Sequence, residues 1–203
     1  MNSFAVAVAA TVLVIGAGAG ALATINQPAP EPAAEVMNPM IDGQAMLPSA
    51  DIDQNIALSP EHSVLTIYLK ETNEDALLKG KGPFTFFAPS DKAFMGGGNL
   101  GTRADLAKLI SYEIVPGRLD SKTLLAMIGE AGGRLKLKTL EGGVLVVSLN
   151  GPTNIGLMDE NGRMADISIY DIYSRNGVIQ VVDHVLKPAG FDAHRPVLTS
   201  SAR

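Results

Sequence analysis

Three histidines, His62, His184 and His194, are the first residues to test for chemistry. They lie far apart in the chain. None has a second histidine at the i+4 spacing that sets two imidazoles on one helix face for a metal ion. His62 and Ser63 could pair as base and nucleophile, but both fall at a predicted helix start, where capping or solvent exposure is the expected state. Asp159-Glu160-Asn161-Gly162 offers carboxylates for calcium, yet the spacing is not that of an EF-hand, and a solvated hairpin turn is expected. No G-x-S-x-G elbow, Walker loop or G-x-G-x-x-G after a strand occurs, and Gly16-Ala17-Gly18 belongs to an apolar leader. The absence of cysteine removes disulfides, thiolate ligands, cysteine catalysis and a lipidated N-terminal cysteine. No catalytic, cofactor-binding or metal-ligating residue is therefore assigned, and the chain is expected not to be an enzyme.

Composition narrows the remaining classes. The net charge is −5 with no basic run, so nothing supplies the concentrated positive field that binding nucleic acid requires. Tryptophan is absent and aromatics make up 5%, which argues against stacking platforms for bases or sugars. Hydrophobic residues make up 46% of 203, enough for the core of one domain with extra segments.

Those extra segments stand at the N-terminus. Phe4–Ile25 is almost wholly apolar and carries no charged side chain. Two readings fit it. Either Phe4–Ile15 is a signal-peptide core with Ala21-Leu22-Ala23 as the cleavage site, or the whole stretch stays in place as a membrane-spanning helix, for which about 20 residues suffice. Both put the rest of the chain outside the cytoplasm. Residues 26–50 read as a spacer and irregular segment: Pro28, Pro30 and Pro32 favour extended polyproline II structure, and Val36–Ser49 mixes Met37, Met40 and Met46 with turn signals. The domain proper is expected over 51–188, with a loose tail over 189–203.

Within that domain, helical spacing comes first. Short or amphipathic helices are predicted over Asp51–Ser59 and Ser63–Thr72, and Ala76-Leu77-Leu78 continues the apolar pattern. Two more follow caps at Thr102 and at Asp120 or Ser121, the second burying Leu124, Leu125 and Ile128. Phe84–Ala88 is a strand candidate, and its Phe84, Phe86 and Phe87 cannot all face one side of a regular strand. From Arg134 the period becomes two. Strands are predicted at Leu135–Thr139, Val144–Leu149, Ile155–Met158 and Ala165–Ile169, and at Val178–Val182 continuing to Leu186. Asn161-Gly162 marks a hairpin. Helices followed by strands define an α+β class.

Three blocks then carry a family resemblance. Gly82-Pro83-Phe84-Thr85-Phe86-Phe87-Ala88-Pro89-Ser90-Asp91-Lys92-Ala93-Phe94 resembles the first signature of the fasciclin domain. Leu109–Gly117 resembles its tyrosine–histidine segment, and Asn176–Pro188 resembles its second signature. The resemblance covers Asp51 to Pro188. It implies a fasciclin-like fold, helices packed on a two-sheet β wedge, and an extracellular role in adhesion or protein–protein contact. It also implies a structural role for Asp183, holding backbone groups near the first block. The chain departs from the pattern at Glu113 and Gln180, where histidine is common. Tyr112 is either a core residue with a bonded hydroxyl or part of a recognition surface. The candidate partner-binding residues are Tyr112, Glu113, Asp183 and His184.

The function expected is a non-enzymatic extracytoplasmic adhesion module with a protein partner, either extracellular matrix or a membrane complex. The alternative is a membrane-anchored accessory subunit whose domain caps a larger complex on its periplasmic side.

Overall fold

Strand β3 (Phe84–Pro89) and strand β9 (Gly177–Val182) run parallel and side by side inside a seven-stranded sheet, and almost every residue of both is buried. A strand covered on both faces needs apolar side chains on both, which is why these two read as nearly continuous apolar runs, broken only by Thr85 and Gln180. The structure is a computed structural model and describes residues 37–96 and 100–191. The apolar leader, the proline-rich spacer, Gly97-Gly98, His194 and the tail beyond Phe191 lie outside the described residues.

The chain opens with a two-strand ribbon, β1 (Met40–Ile41) and β2 (Gln44–Ala45), turned by Asp42-Gly43, both with positive φ. The segment expected to be irregular thus holds a ribbon, and its Ile41 and Met46 enter the core. Helices α1 (Ile52–Leu58), α2 (Ser63–Thr72) and α3 (Asp75–Leu78) follow, then β3, α4 (Asp91–Met95), α5 (Arg103–Tyr112), β4 (Ile114–Pro116) and α6 (Ser121–Glu130). The remaining strands are β5 (Arg134–Lys138), β6 (Val144–Leu149), β7 (Ile155–Met158), β8 (Met164–Ser174) and β9. The sheet order is β4-β3-β9-β8-β7-β6-β5, antiparallel except for β3 with β9.

β8 makes the wedge. Its first residues pair with β7, and from Ile167 it pairs with β9 through two register irregularities. Asp171, with φ of 59°, sits in the second of these. Bulges bend a strand and increase its twist, so one long strand serves both halves of the sheet. The halves enclose separate cores. Tyr112, Phe87, Leu124, Ile128 and the inward residues of β5–β8 form one, and Phe86, Ile179 and the apolar faces of α1 and α2 form another. Phe86 and Phe87 thus point to opposite cores, and Phe84 packs against the second. All three aromatic rings are accounted for within the domain.

The two signature blocks meet at close range. A Cβ on Gly177 would stand 2.1 Å from the Phe84 carbonyl oxygen, so the position admits no side chain. Asn176 is buried; its Oδ1 accepts from the Ile52 amide and its Nδ2 donates to the carbonyls of Leu78 and Gly80. That side chain caps α1 and closes α3 at once.

Three expectations need correction. Leu125 is exposed, because the buried face of α6 is the i, i+4 pair Leu124 and Ile128 and a neighbour turns about 100° away. Strand β9 stops at Val182: Asp183 and His184 bend outward, and Val185 and Leu186 turn back into the core. His62 precedes α2 but does not cap it; the Val64 amide donates to Asp91 Oδ1 at 2.9 Å instead.

Candidate partner-binding site

Tyr112 ends α5 and Glu113 follows it into β4, and both are fully buried. The Tyr112 hydroxyl donates to the Val144 carbonyl at 2.9 Å and accepts from the Glu160 amide at 3.2 Å. Burial, with the charge of nearby Glu160, Asp159 and Glu141, raises its pKa. Of the two roles open to Tyr112, the core residue with a bonded hydroxyl is the one the geometry displays. Glu113 Oε1 accepts from the Leu186 amide at 3.1 Å, while Oε2 is buried without a hydrogen-bond partner. Burial raises this carboxyl well above its ordinary range, only partly opposed by the Leu186 amide.

Beside them lies a knot that the sequence reading had placed in solvent. Asp159 is buried, not a solvated turn residue. Its Oδ1 accepts from the amides of Asn161 and Arg163, and its Oδ2 accepts from the amide of Lys187. Asn161 Nδ2 donates to the carbonyls of Lys187 and Pro188. Glu160 accepts from the amides of Val144 and Ala189. The hairpin therefore holds residues 187–189, while Glu113 at the end of α5 holds Leu186. Its three polar side chains act as acceptors and donors for backbone, which is sufficient reason for their polarity without a cation. Burial lowers the pKa of Lys187, helped by Arg163 and opposed by Asp159.

Asp183 and His184 stand apart from this knot, on the surface. Asp183 Oδ1 accepts from the Asp166 amide of β8 at 2.8 Å and lies 2.9 Å from His184 Nδ1. Its backbone-holding role is present, but directed at β8; the first signature block is held instead by the Ser90 amide donating to the Val182 carbonyl. The four candidate residues thus form no single surface. Tyr112 and Glu113 face inward, and Asp183 and His184 face outward. Gln180 is buried and donates to Asp171 Oδ1 and the Leu119 carbonyl while accepting from the Asp171 amide. Asp171 also accepts from the amide and hydroxyl of Ser121, so this group fixes the bulge of β8 to the start of α6.

Among the described residues a hydroxyl–imidazole pair has hydrogen-bonding geometry, but it is Ser59 with His62, not Ser63. Ser59 Oγ lies 2.6 Å from His62 Nδ1. Both are buried, and His62 Nε2 has no well-formed hydrogen bond. Burial depresses the imidazole to about 4, against weaker opposing effects from Asp91 and the Ala88 carbonyl. A general base needs access to substrate and a pKa near the working pH, and this ring has neither.

Exposed apolar side chains lie before and along α1. Met37, Met40, Leu47 and Leu58 are all exposed, Met37 at 88%. Leu47 and Leu58 line an open groove of about 490 Å³ with Ser49, Ala50, Gln54 and Ala57. The methionine content of 37–46 was the available signal, and burial alone tells Met46 from Met37 and Met40.

Comparison with known proteins agrees with this architecture. The sequence model of the Fasciclin domain matches residues 60–188. Protein sll1735 of Synechocystis sp. is 28% identical over 138 residues, covering 64% of this chain and 93% of that protein. Transforming growth factor-beta-induced protein ig-h3 of Sus scrofa is 28% identical over 155 residues, covering 73% of this chain but 21% of its own length. Among solved structures, a FAS1 domain pair from the insect cell adhesion molecule fasciclin I superposes with a TM-score of 0.59 at 16% identity, over 70% of this chain and 52% of that one. With the family matched across both signature blocks and the α+β wedge in place, the chain belongs to the fasciclin-domain family.

Proposed function

We propose that the chain is a non-enzymatic, extracytoplasmic binding module that makes protein–protein contacts. One observation carries the reading: a fasciclin domain follows an apolar, uncharged leader and a Pro28-Pro30-Pro32 spacer, the layout of a domain exported and held clear of a membrane. The relatives point the same way, since fasciclin I is a cell adhesion molecule. The side chains of Asp159, Glu160 and Asn161 hold backbone, and His62 is buried against Ser59. Among the described residues no helix is long and apolar enough to cross a membrane, and the anchor of this reading is the apolar stretch Phe4–Ile25.

Intact mass and fractionation of the native protein test this. Recovery outside the cytoplasm supports the reading, and recovery in the cytoplasmic fraction sinks it. A mass retaining residues 1–23, with the protein in the membrane fraction, favours the second reading: an accessory subunit whose domain caps a membrane complex. That reading draws on a specific feature, the exposed apolar side chains directly after the spacer.

A further inference from the structure

Strand β5 (Arg134–Lys138) ends the seven-stranded sheet, and its charges go unanswered. Arg134, Lys136 and Lys138 are exposed and alternate with Leu135 and Leu137, which face the core. Among the described residues none of the three makes an ion pair or a side-chain hydrogen bond. Carboxylates at the neighbouring turns and strands are engaged elsewhere. Glu141 accepts from the Gly143 amide, Glu160 from the amides of Val144 and Ala189, and Asp166 from Asn150 Nδ2. From Lys122 to Lys138 the chain holds four basic residues and one acidic residue, Glu130, a net charge of +3 in a protein of net −5.

The main chain of this edge is open as well. β5 pairs with β6 on one side, and among the described residues no other hydrogen bond reaches the backbone of 134–138. The opening is bounded, since beyond Lys138 the Leu140 amide donates to the Ile114 carbonyl and ties the chain to β4. An edge of unpaired amides and carbonyls is a template for a further strand. Lysines on such an edge keep identical copies apart, because a second β5 laid against the first brings cation to cation. The same row attracts a strand of opposite charge.

Geometry narrows the occupant. Alternate residues of a strand stand about 7 Å apart on one face, so the three cations form a line with the repeat of another strand. On the opposite face Leu135 and Leu137 are the rim of the core, at 8% and 6% exposure, whereas Leu145 and Val147 of β6 are sealed at 0%. A strand added beside β5 therefore meets charge on one face and apolar surface on the other. A polysaccharide or a phosphate-rich surface answers the charges and leaves the amides and carbonyls unpaired. We infer that β5 is a docking edge for an extended acidic segment of a partner protein, which joins the sheet beside it with carboxylates opposite Arg134, Lys136 and Lys138 and apolar residues between them. This rests on the reading of the chain as a protein-binding module and names the kind of partner.

The test uses the full chain in phosphatidylcholine nanodiscs, read through its backbone amide resonances. The probe is an alternating glutamate–valine peptide of about seven residues. One control replaces glutamate by glutamine, and two others carry N-methyl groups on one or the other alternate set of amides. The expected result is shifts and slowed hydrogen exchange centred on 134–138 with the glutamate peptide. Binding should fall about tenfold with the glutamine peptide, and it should be lost with one N-methylated set and kept with the other. Lys136→Glu should weaken binding about tenfold and create binding of a lysine–valine peptide. Lys108→Glu, the same charge change on exposed α5 surface, should leave binding unchanged. Undiminished binding of both N-methylated peptides would show a contact of charge alone and overturn the inference. Equal binding of the glutamine peptide, or no shift in β5, would overturn it too. So would shifts of the same amides in phosphatidylserine nanodiscs without peptide, which would assign the row to lipid. Fractionation judges the parent reading separately: a cytoplasmic protein that still bound the glutamate peptide would lose its proposed location and keep its docking edge.

Discussion

The knot around Tyr112 and the groove along α1 use similar residue numbers to opposite ends. In the knot, Asp159, Asn161, Glu160 and Tyr112 spend nearly all their polar atoms on the chain's own backbone. In the groove, Leu47 and Leu58 leave apolar surface unspent. The knot lies inside the matched family span and the groove before it. The residues of the knot thus serve foremost the assembly of the domain itself.

The sharpest way to break that contrast is Asp159→Ala. It removes the acceptor of three amides, two in the hairpin and one at Lys187, and is expected to cost about 3–5 kcal/mol in denaturant unfolding. A loss under about 1 kcal/mol would mean the knot is ornamental. Next comes His62. Its folded pKa is depressed from 6.5 to about 4, so the unfolded chain binds more protons between those values and stability falls as pH drops through them. The fall attributable to this ring is about 3 kcal/mol, read as the difference between the pH–stability curves of the protein and a His62→Gln variant.

Tyr112→Phe removes only the hydroxyl, with its bonds to Val144 and Glu160, and should cost about 1–2 kcal/mol. Glu113 runs opposite to His62. Its folded pKa is raised, so above 4.5 the folded state holds a proton that the unfolded state has released, and stability falls as pH rises. Glu113→Gln should flatten that descent by up to about 1.4 kcal/mol per pH unit, and an unchanged slope would show that the carboxyl ionises freely. Least of all, Leu58→Ser should change stability by less than about 0.5 kcal/mol. A larger loss would move the groove from the unspent side of the comparison to the structural side.

Much of the scaffold was legible because its signals are local. Thr102 and Asp120 cap their helices as their types predict, and the alternation of Leu135, Leu137 and Thr139 buries all three. What escaped was long-range. Asp91 serves the start of α2 from another element, Asn176 reaches α1 and α3, and Asp159 reaches Lys187. A polar residue between turn signals looks the same whether water or a distant amide satisfies it. The ribbon at 40–45 is too short for periodicity to register. Glu113 and His62 carry the same lesson from the other side: nothing beside them in the chain announces that each is sealed in the core.

The parallel pairing of β3 with β9 also governs timing. Residues 84–89 line both cores, yet their central neighbour is not synthesised until residues 177–182 appear. β8, which joins the two halves of the sheet, precedes β9 by a single turn. A chain threading out of a ribosome or through a translocation pore therefore cannot close this domain early. It stays open until nearly all of it has emerged, and then completes both cores with one strand.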